Sequence, residues 1–499
     1  MNDVTRAAAR AATEDVPTAV ARTGGREAAP RRAPTRAVVV GGSIAGMLAA
    51  AAVRDRFDAV EIVEAHDLPA GPEPRAGVPQ AAHFHTLVSG GADAIDALLP
   101  GTVDQLLAHG AHRVPMTTNM VYCSPEGWYR RWRRDTHFLV SAGRDLTDFA
   151  VRRQVLRDPR VSVRPRTRVT ALLGDRRAVT GVRLRAADGA EADLAADLVV
   201  DASGRSSRAP HWLAGLGVAG LAEDRVDSGL AYASRVYRAP VPTRDWPVIN
   251  VSADPRRPGP ATAGGILPIE GDRWHVSLWG PPGAHPTRDP DAFEPYARTL
   301  RHPVVAELLA HAEPLTGVTV TRSTANRRRY YERLPGWPEG LVALGDSVAA
   351  FNPVYGHGMS VAAQGALALR ASLASGPRAG LARRAQRAVA RPVEVAWALA
   401  TGQDIHYPAT VGRDPNPADR LLDRYVSRLS RTATGSYRAA TALTDVLTLQ
   451  ASPATLLRPG VLLSAAGGPL RPPLAHPQFT PAERRLLREA GITLSCLPG

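Results

Sequence analysis

Ala37 to Val40 is a short uninterrupted apolar run, the pattern of a strand buried on both faces. It leads into Gly41-Gly42-Ser43-Ile44-Ala45-Gly46 and an alanine-rich stretch to Val53, which together predict strand, tight turn and helix. A second strand, Ala59 to Val63, ends at Glu64. Far downstream, Leu341 to Leu344 predicts another buried strand, closed by Gly345 and Asp346. The loop Phe351 to Met359 follows, with a helix from Met359 onwards. Between these stretches, Ser228–Tyr237, Pro247–Ser252, Gly264–Ile269, Trp274–Trp279 and Val318–Ser323 read as strands of an antiparallel sheet. Glu270-Gly271-Asp272 is the turn of a hairpin within it. Leu381–Leu399 and Arg420–Leu449 read as helices, with Pro392 kinking or dividing the first. Pro469, Pro472, Pro473 and Pro477 break the helical pattern before a last helix over Thr480–Ala490.

The glycines suggest a ligand. Gly41 and Gly42 permit the turn, and Gly46 lets the helix sit close to the strand. The free amides at the helix start, with its dipole, can then hold a pyrophosphate. Ser43 stands where the usual fingerprint has its second glycine, and it is small enough for phosphate to approach. Glu64 lies at about the 20-residue spacing of an acid that grips a ribose hydroxyl. At the downstream stretch, Asp346 can accept hydrogen bonds from sugar-alcohol hydroxyls. Pro353, Gly356 and Gly358 make a loop whose amides can approach a flat ring. Taken alone, Gly345 and Asp346 equally read as a plain turn after a core strand. Together the two stretches predict one dinucleotide held at both ends, most simply FAD.

Composition changes the picture in two places. Among the 499 residues the net charge is +14, which fits a binder of nucleic acid or of an anionic surface. Yet the basic residues are all arginine and no nucleic-acid module is evident, so the charge reads as compositional bias. The densest cluster, Trp128 to Asp135, is the best candidate for a surface contact, but reads more simply as a strand with solvated arginines. Cys123 and Cys496 are the only cysteines, which excludes a disulfide framework or a cysteine metal cluster. His83 and His85 would share one face of a strand as two metal ligands could, but a structural or flavin-proximal role fits better, and Gln80 lies in the same stretch. Ser206 and Ser207 lack a nucleophile elbow. No apolar run reaches the ~18 residues of a membrane span.

The stretches GGSIAG, RAGVPQAAHFH from Arg75, DLVVDASGRSSR from Asp197, ILPIEGDRW from Ile266, ANRRRYYERLPGWPEGLVALGDS from Ala325 and FNPVYGHGMS from Phe351 carry a family resemblance. From about Arg36 to about Leu449 the chain resembles the FAD-dependent aromatic-hydroxylase-like monooxygenases. Within them it is most similar to the bacterial flavin epoxidases of polyether biosynthesis, related to squalene epoxidase. The resemblance implies an α/β fold: a Rossmann-like FAD-binding domain of glutathione-reductase type, an inserted antiparallel-sheet substrate domain and C-terminal helices. The expected division is a disordered extension over 1–35, an FAD-binding domain over 36–225 that includes part of the substrate domain near 86–140, and the substrate sheet over 226–325. A closing FAD-binding segment over 326–400 and a helical region over 401–499 complete it.

Residue by residue, the resemblance implies Gly41, Ser43 and Gly46 at the pyrophosphate, Glu64 at the adenine ribose, and Arg75 and Arg144 along the cofactor. Val169 would touch the adenine through its backbone, Gly345 and Asp346 the ribityl chain, and Pro353 to Met359 the isoalloxazine ring, with Pro353, Gly356 and Gly358 at the site of oxygen transfer. Ser203 stands where aromatic hydroxylases carry an aspartate serving FAD and NADPH, and Asp201 could take over part of that role. Reduction by NAD(P)H, directly or through a separate reductase, is therefore expected. Halogenation carried on a lysine is excluded, because the chain has no lysine. The expected partners are an apolar small-molecule substrate and molecular oxygen, with neither nucleic acid nor a metal, in a cytoplasmic enzyme. The leading expectation is epoxidation of a large apolar polyene of polyketide type. Alternatives are hydroxylation of an aromatic or polyketide compound, reduction of isoprenoid double bonds, and a catalytically silent flavin-binding protein.

Overall fold

The computed structural model describes residues 34–256, 259–375 and 379–496. The expected N-terminal extension lies outside them, except that Thr35 is already anchored, its N–H donating to Asp58 at 2.7 Å. The apolar runs seen in sequence form one parallel sheet in the order Leu341–Ala343, Leu198–Asp201, Arg36–Val40, Ala59–Val63 and Val161–Arg164. Val39 lies beside both Val200 and Ile62, and Val200 beside Val342. All four are shielded from solvent on both faces of the sheet, which is why these strands read as continuous rather than alternating hydrophobics.

The chain returns to this sheet after its long excursion, and the two glycine-rich stretches meet. A Cβ on Gly345, whose φ is +65°, would come within 2.9 Å of the Ala45 Cβ in the helix Ile44–Val53. The helix Gly358–Ala374 packs against the same surface. The inserted part forms an eight-stranded sheet centred on Ala231–Arg238, Arg273–Gly280, Ala263–Ile269 and Val248–Val251. The hairpin turns at Gly271 and Asp272, both in the left-handed region, with φ of +73° and +49°. Met120–Ser124 joins the sheet in parallel to Val248–Val251.

Two expectations change in the C-terminal part, and a third at the arginine cluster 128–135 against which its last segment packs. Pro392 does not divide its helix, which runs unbroken from Leu381 to Asp404. The lost hydrogen bond, worth about 3 kcal/mol in an isolated helix, is outweighed by a face of Ala385, Val389, Val393, Ala396 and Ala400 buried along its whole length. Arg420–Leu449 is two helices, Pro417–Ala433 and Tyr437–Leu447. They part at Gly435, where a Cβ would meet the Arg471 carbonyl oxygen at 2.4 Å as the proline-rich segment crosses.

The arginine cluster is the third. Only Gly127–Trp128 is a strand, and Arg131 is not solvated. Its guanidinium donates to both Glu483 oxygens at 2.6 and 2.8 Å, while Arg130 donates to the Pro472 carbonyl at 2.7 Å. Glu483 also closes the capping box of the last helix, Pro481–Glu489, with Thr480. These arginines hold the C-terminal segment onto the inserted sheet. Removing one partner of a buried pair leaves the other charge uncompensated, so Arg131→Ala should lower stability by about 3 kcal/mol. Denaturant unfolding of Arg131→Ala, Glu483→Ala and the double variant checks this, the double variant being less destabilised than the sum of the singles.

Candidate functional site

The first part of the site is the turn after Arg36–Val40. Gly41 has a φ of +99°, and a Cβ on Gly46 would sit 1.8 Å from the Gly41 carbonyl oxygen. The helix Ile44–Val53 therefore starts directly above the strand end, with no acidic residue in its first turn and no side-chain cap from Ser43. Ser43 Oγ instead accepts from Arg144 Nη2 at 3.1 Å. Arg144 is deeply enclosed, its Nε has no partner, and burial pulls the guanidinium below its ordinary pKa. Amides, a helix dipole and an under-satisfied cation converge on one point, which suits a pyrophosphate.

Glu64 stands at the end of the second strand, against the same turn. Its carboxylate accepts from the Gly42 N–H at 2.7 Å and the His66 N–H at 3.0 Å. Arg75 stands behind it, paired with Glu64 at 3.1 Å and Asp148 at 3.0 Å and donating to the Gly42 carbonyl. Arg75 thus acts through Glu64 and the turn rather than lying open along the groove; its side chain is only 3% exposed. Beyond Glu64 a cavity of about 370 Å³, bordered by Ala65, His66, Pro69, Pro74 and Arg166, is within the size range of small-ligand pockets. Val169 lies on the strand Thr167–Gly174, which joins Glu64 where the Thr167 N–H donates to its carbonyl at 2.9 Å.

The second part is built at the ends of the next two strands. Asp201 is fully buried, and its oxygens accept from Ser203 and Ser207, the latter at 2.6 Å. It orders the Ala202–Ser207 turn and presents no free oxygen to a ligand. Asp346 is different. It stands within 3.8 Å of where a Gly358 Cβ would be, at the start of the helix Gly358–Ala374. Burial pushes its carboxyl up, while Arg205, Arg144 and Arg327 favour its charged form. A partly exposed acceptor among three cations is suited to sugar hydroxyls.

The third part is the loop Asn352–Met359. Pro353–Tyr355 is a single tight turn capped by the Asn352 side chain, and Gly356 leaves it with a φ of +66°. A Cβ there would lie 2.4 Å from Thr86 Oγ1, so the loop backbone presses on the segment that carries His83 and His85. Met359 lends the site its backbone at the helix start, while its side chain belongs to the main core. Beside the loop, Val354, Phe84 and Tyr407 pack on a buried cluster of Leu230, Tyr232, Ala253, Ala263 and Trp279. Phe84 meets Trp279 edge-on at 6.3 Å.

A carbonyl acceptor fixes the tautomer of three nearby histidines: His85 Nδ1 donates to the His83 carbonyl at 2.7 Å, His275 Nε2 to the Ala82 carbonyl at 3.1 Å and His357 Nε2 to the Leu447 carbonyl at 3.0 Å. His83 Nδ1 and Ser234 Oγ are 2.8 Å apart. His83 and His85 therefore engage different partners, and among the described residues no group of three potential ligands could hold a metal. Nor is any helix there long and apolar enough to cross a membrane. Asn352, Tyr232, Thr86, Trp279 and Asp404, which accepts from Asn352 and Tyr355, were not legible as site residues. Of these only Asn352 carried a signal, the Asn-Pro pair that initiates turns.

Burial pushes His83, His275 and His357 down to about 4. They are neutral when folded, whereas the unfolded chain protonates them near 6.5. Below that value the unfolded state binds more protons, so stability falls as pH drops from about 6.5 towards 4, by roughly 1.4 kcal/mol per pH unit for each histidine. Thermal unfolding between pH 7.5 and 5 checks this, and His275→Gln should flatten the slope.

The family described as FAD binding domain matches residues 34–401. "Protein Rv3254" of Mycobacterium tuberculosis is 32% identical over 408 residues, covering 78% of this chain and 85% of that protein. Kynurenine 3-monooxygenase of Salinispora arenicola is 28% identical over 418 residues, covering 79% and 85%. Among solved structures, p-nitrophenol 4-monooxygenase PnpA from Pseudomonas putida superposes with a TM-score of 0.59 at 15% identity. That match covers 83% of this chain and 98% of that one, a likeness of fold.

Proposed function

The chain belongs to the FAD binding domain family of flavin-dependent monooxygenases, and we propose that it epoxidises carbon–carbon double bonds of a large apolar polyene of polyketide type. The carrying observation is the apolar cluster on which Val354 packs. Its members are aromatic and aliphatic, and the hydroxyls nearest the loop are already engaged, Tyr232 with Asn352 at 2.6 Å and Tyr355 with Asp404 at 2.5 Å. Such a cluster favours an apolar π system over a substrate that needs a buried polar anchor.

Reduced FAD, with electrons from NAD(P)H, supplies the activated oxygen atom. The protein's part is placement. Ser43, Arg144 and the first helix turn hold the pyrophosphate, Glu64 the ribose and Asp346 the ribityl chain. Pro353, Gly356 and Gly358 let the loop backbone lie against the ring. Phe84, Trp279 and Tyr232 exclude water and orient the double bond. Attack on an alkene requires no side-chain base. Hydroxylation of an aromatic or polyketide compound is the second reading, supported by the similarity to kynurenine 3-monooxygenase and by the neutral His85, whose Nε2 is left as an acceptor.

Supplying the reduced holoenzyme with labelled oxygen and a polyene should give an epoxide bearing one labelled atom; labelled phenolic product from aromatic substrates alone would establish the second reading. Trp279→Ala should lower kcat/KM for the polyene by up to about a hundredfold through misplacement, with FAD affinity unchanged. Gly46→Val should abolish FAD retention, since its side chain would enter the Gly41 carbonyl. Flavin absorbance after gel filtration measures that loss.

A further inference from the structure

Behind the ring-facing loop lies a buried carboxylate that none of the steps above uses. Asp404 is the last residue of the helix Leu381–Asp404 and is fully buried. Its partners are neutral side chains from two other parts of the fold, the strand Asn326–Arg329 and the turn Asn352–Tyr355. Asn326 Nδ2 donates to Oδ2 at 2.6 Å, Asn352 Nδ2 donates to the same oxygen at 3.0 Å, and the Tyr355 hydroxyl donates to Oδ1 at 2.5 Å.

The direction of these bonds is set from outside the carboxylate. Asn352 Oδ1 accepts from the Val354 N–H at 3.3 Å and from the Tyr232 hydroxyl at 2.6 Å, so its NH2 group must face Asp404. Asn326 Oδ1 accepts from the Asn352 N–H at 2.7 Å, so its NH2 group faces the carboxylate as well. Position 404 must therefore offer an acceptor to two amides at once. Without it, the Asn326 NH2 group and the Tyr355 phenol lose their partners and Asn352 Nδ2 keeps only Ser228 Oγ at 3.4 Å, each at a desolvation cost. The groups so held are the cap of the Pro353–Tyr355 turn, the last residue of that turn and, through Tyr232, the apolar cluster beside it.

We propose that Asp404 is the positioning residue of the ring-facing loop: one shared acceptor fixes Asn352 and Tyr355, and through them the loop backbone and the Tyr232 side chain keep one spacing. The proposal rests on the reading of Pro353–Met359 as the loop against the isoalloxazine ring. Its requirement is an acceptor rather than a negative charge. An asparagine at 404 can turn its carbonyl oxygen to the two amides and its NH2 group to the Tyr355 hydroxyl, which then accepts. Alanine can do neither.

The test uses FAD-loaded wild type, Asp404→Ala, Asp404→Asn and Tyr355→Phe. Three quantities are read: the resolution of the visible flavin absorption bands, the FAD dissociation constant, and hydrogen peroxide released per flavin after chemical reduction and exposure to oxygen. Asp404→Ala should blur the bands and increase peroxide release severalfold, with Tyr355→Phe intermediate and Asp404→Asn close to wild type. FAD affinity should change little, because the pyrophosphate and ribose contacts are untouched. Wild-type bands and peroxide release in both Asp404→Ala and Tyr355→Phe would overturn the proposal. So would an Asp404→Asn variant as impaired as Asp404→Ala, which would assign the effect to charge. If Asp404→Ala does not fold, Tyr355→Phe and Asp404→Asn decide on the same criteria. Band shape and affinity need no substrate, so failure of epoxidation and failure of this proposal remain distinguishable.

Discussion

The site depends on backbone passing closer to backbone than any side chain would allow. A Cβ on Gly46 would lie 1.8 Å from the Gly41 carbonyl oxygen, and one on Gly41 would lie 2.7 Å from the Ala202 carbonyl oxygen. These two approaches bring the first helix onto the strand end and the neighbouring strand end beside it. Gly345 repeats the device against Ala45. Three parallel strands thus deliver their carboxyl ends to one crevice, where the amides of Ile44–Val53 and the start of Gly358–Ala374 both point.

Charge is organised around that crevice in two tiers. Arg75, Asp148 and Arg152 form a buried series behind Glu64, where each guanidinium is paired and donates to backbone carbonyls. Buried ions so paired hold geometry more than they add stability, although Arg75 Nε and Asp148 Oδ1 have no partner. Arg144 Nε has none either, and burial pushes the Asp346 carboxyl up while Arg205, Arg144 and Arg327 favour its charged form. The surplus of arginine seen in composition is in part this internal framework, and Arg131 with Glu483 extends it to the C-terminal helix.

Much of the cofactor half was legible along the chain. Strand, turn and helix around Gly41, Ser43 and Gly46, the acid at Glu64, and the Gly345-Asp346 strand end are local patterns, and local patterns survive folding. Arg75 and Asp201 were legible as site-related but not in their manner of acting, because a guanidinium or carboxylate reveals its partner only in space. Pro392 and the Arg420–Leu449 stretch misled for the same reason. Helix continuity there depends on which face is buried and on a crossing chain at Gly435, not on propensity. The apolar cluster beside the loop was least legible, since Phe84, Tyr232, Trp279 and Tyr407 come from separate segments of the chain and read as ordinary core residues.

The α/β fold and the FAD-binding domain were written in the chain itself, because glycine placement and apolar periodicity are local, residue-by-residue properties. Only the tertiary structure decided that the two turns share a crevice through Gly345 and Ala45, that Asp201 is spent on its own turn, and that Asp404 stands behind Asn352 and Tyr355. The physical reason is that hydrogen bonds and burial are properties of pairs. Gly345 and Ala45, and Asp404 with Asn352 and Tyr355, lie far apart in the chain, and only packing brings them together.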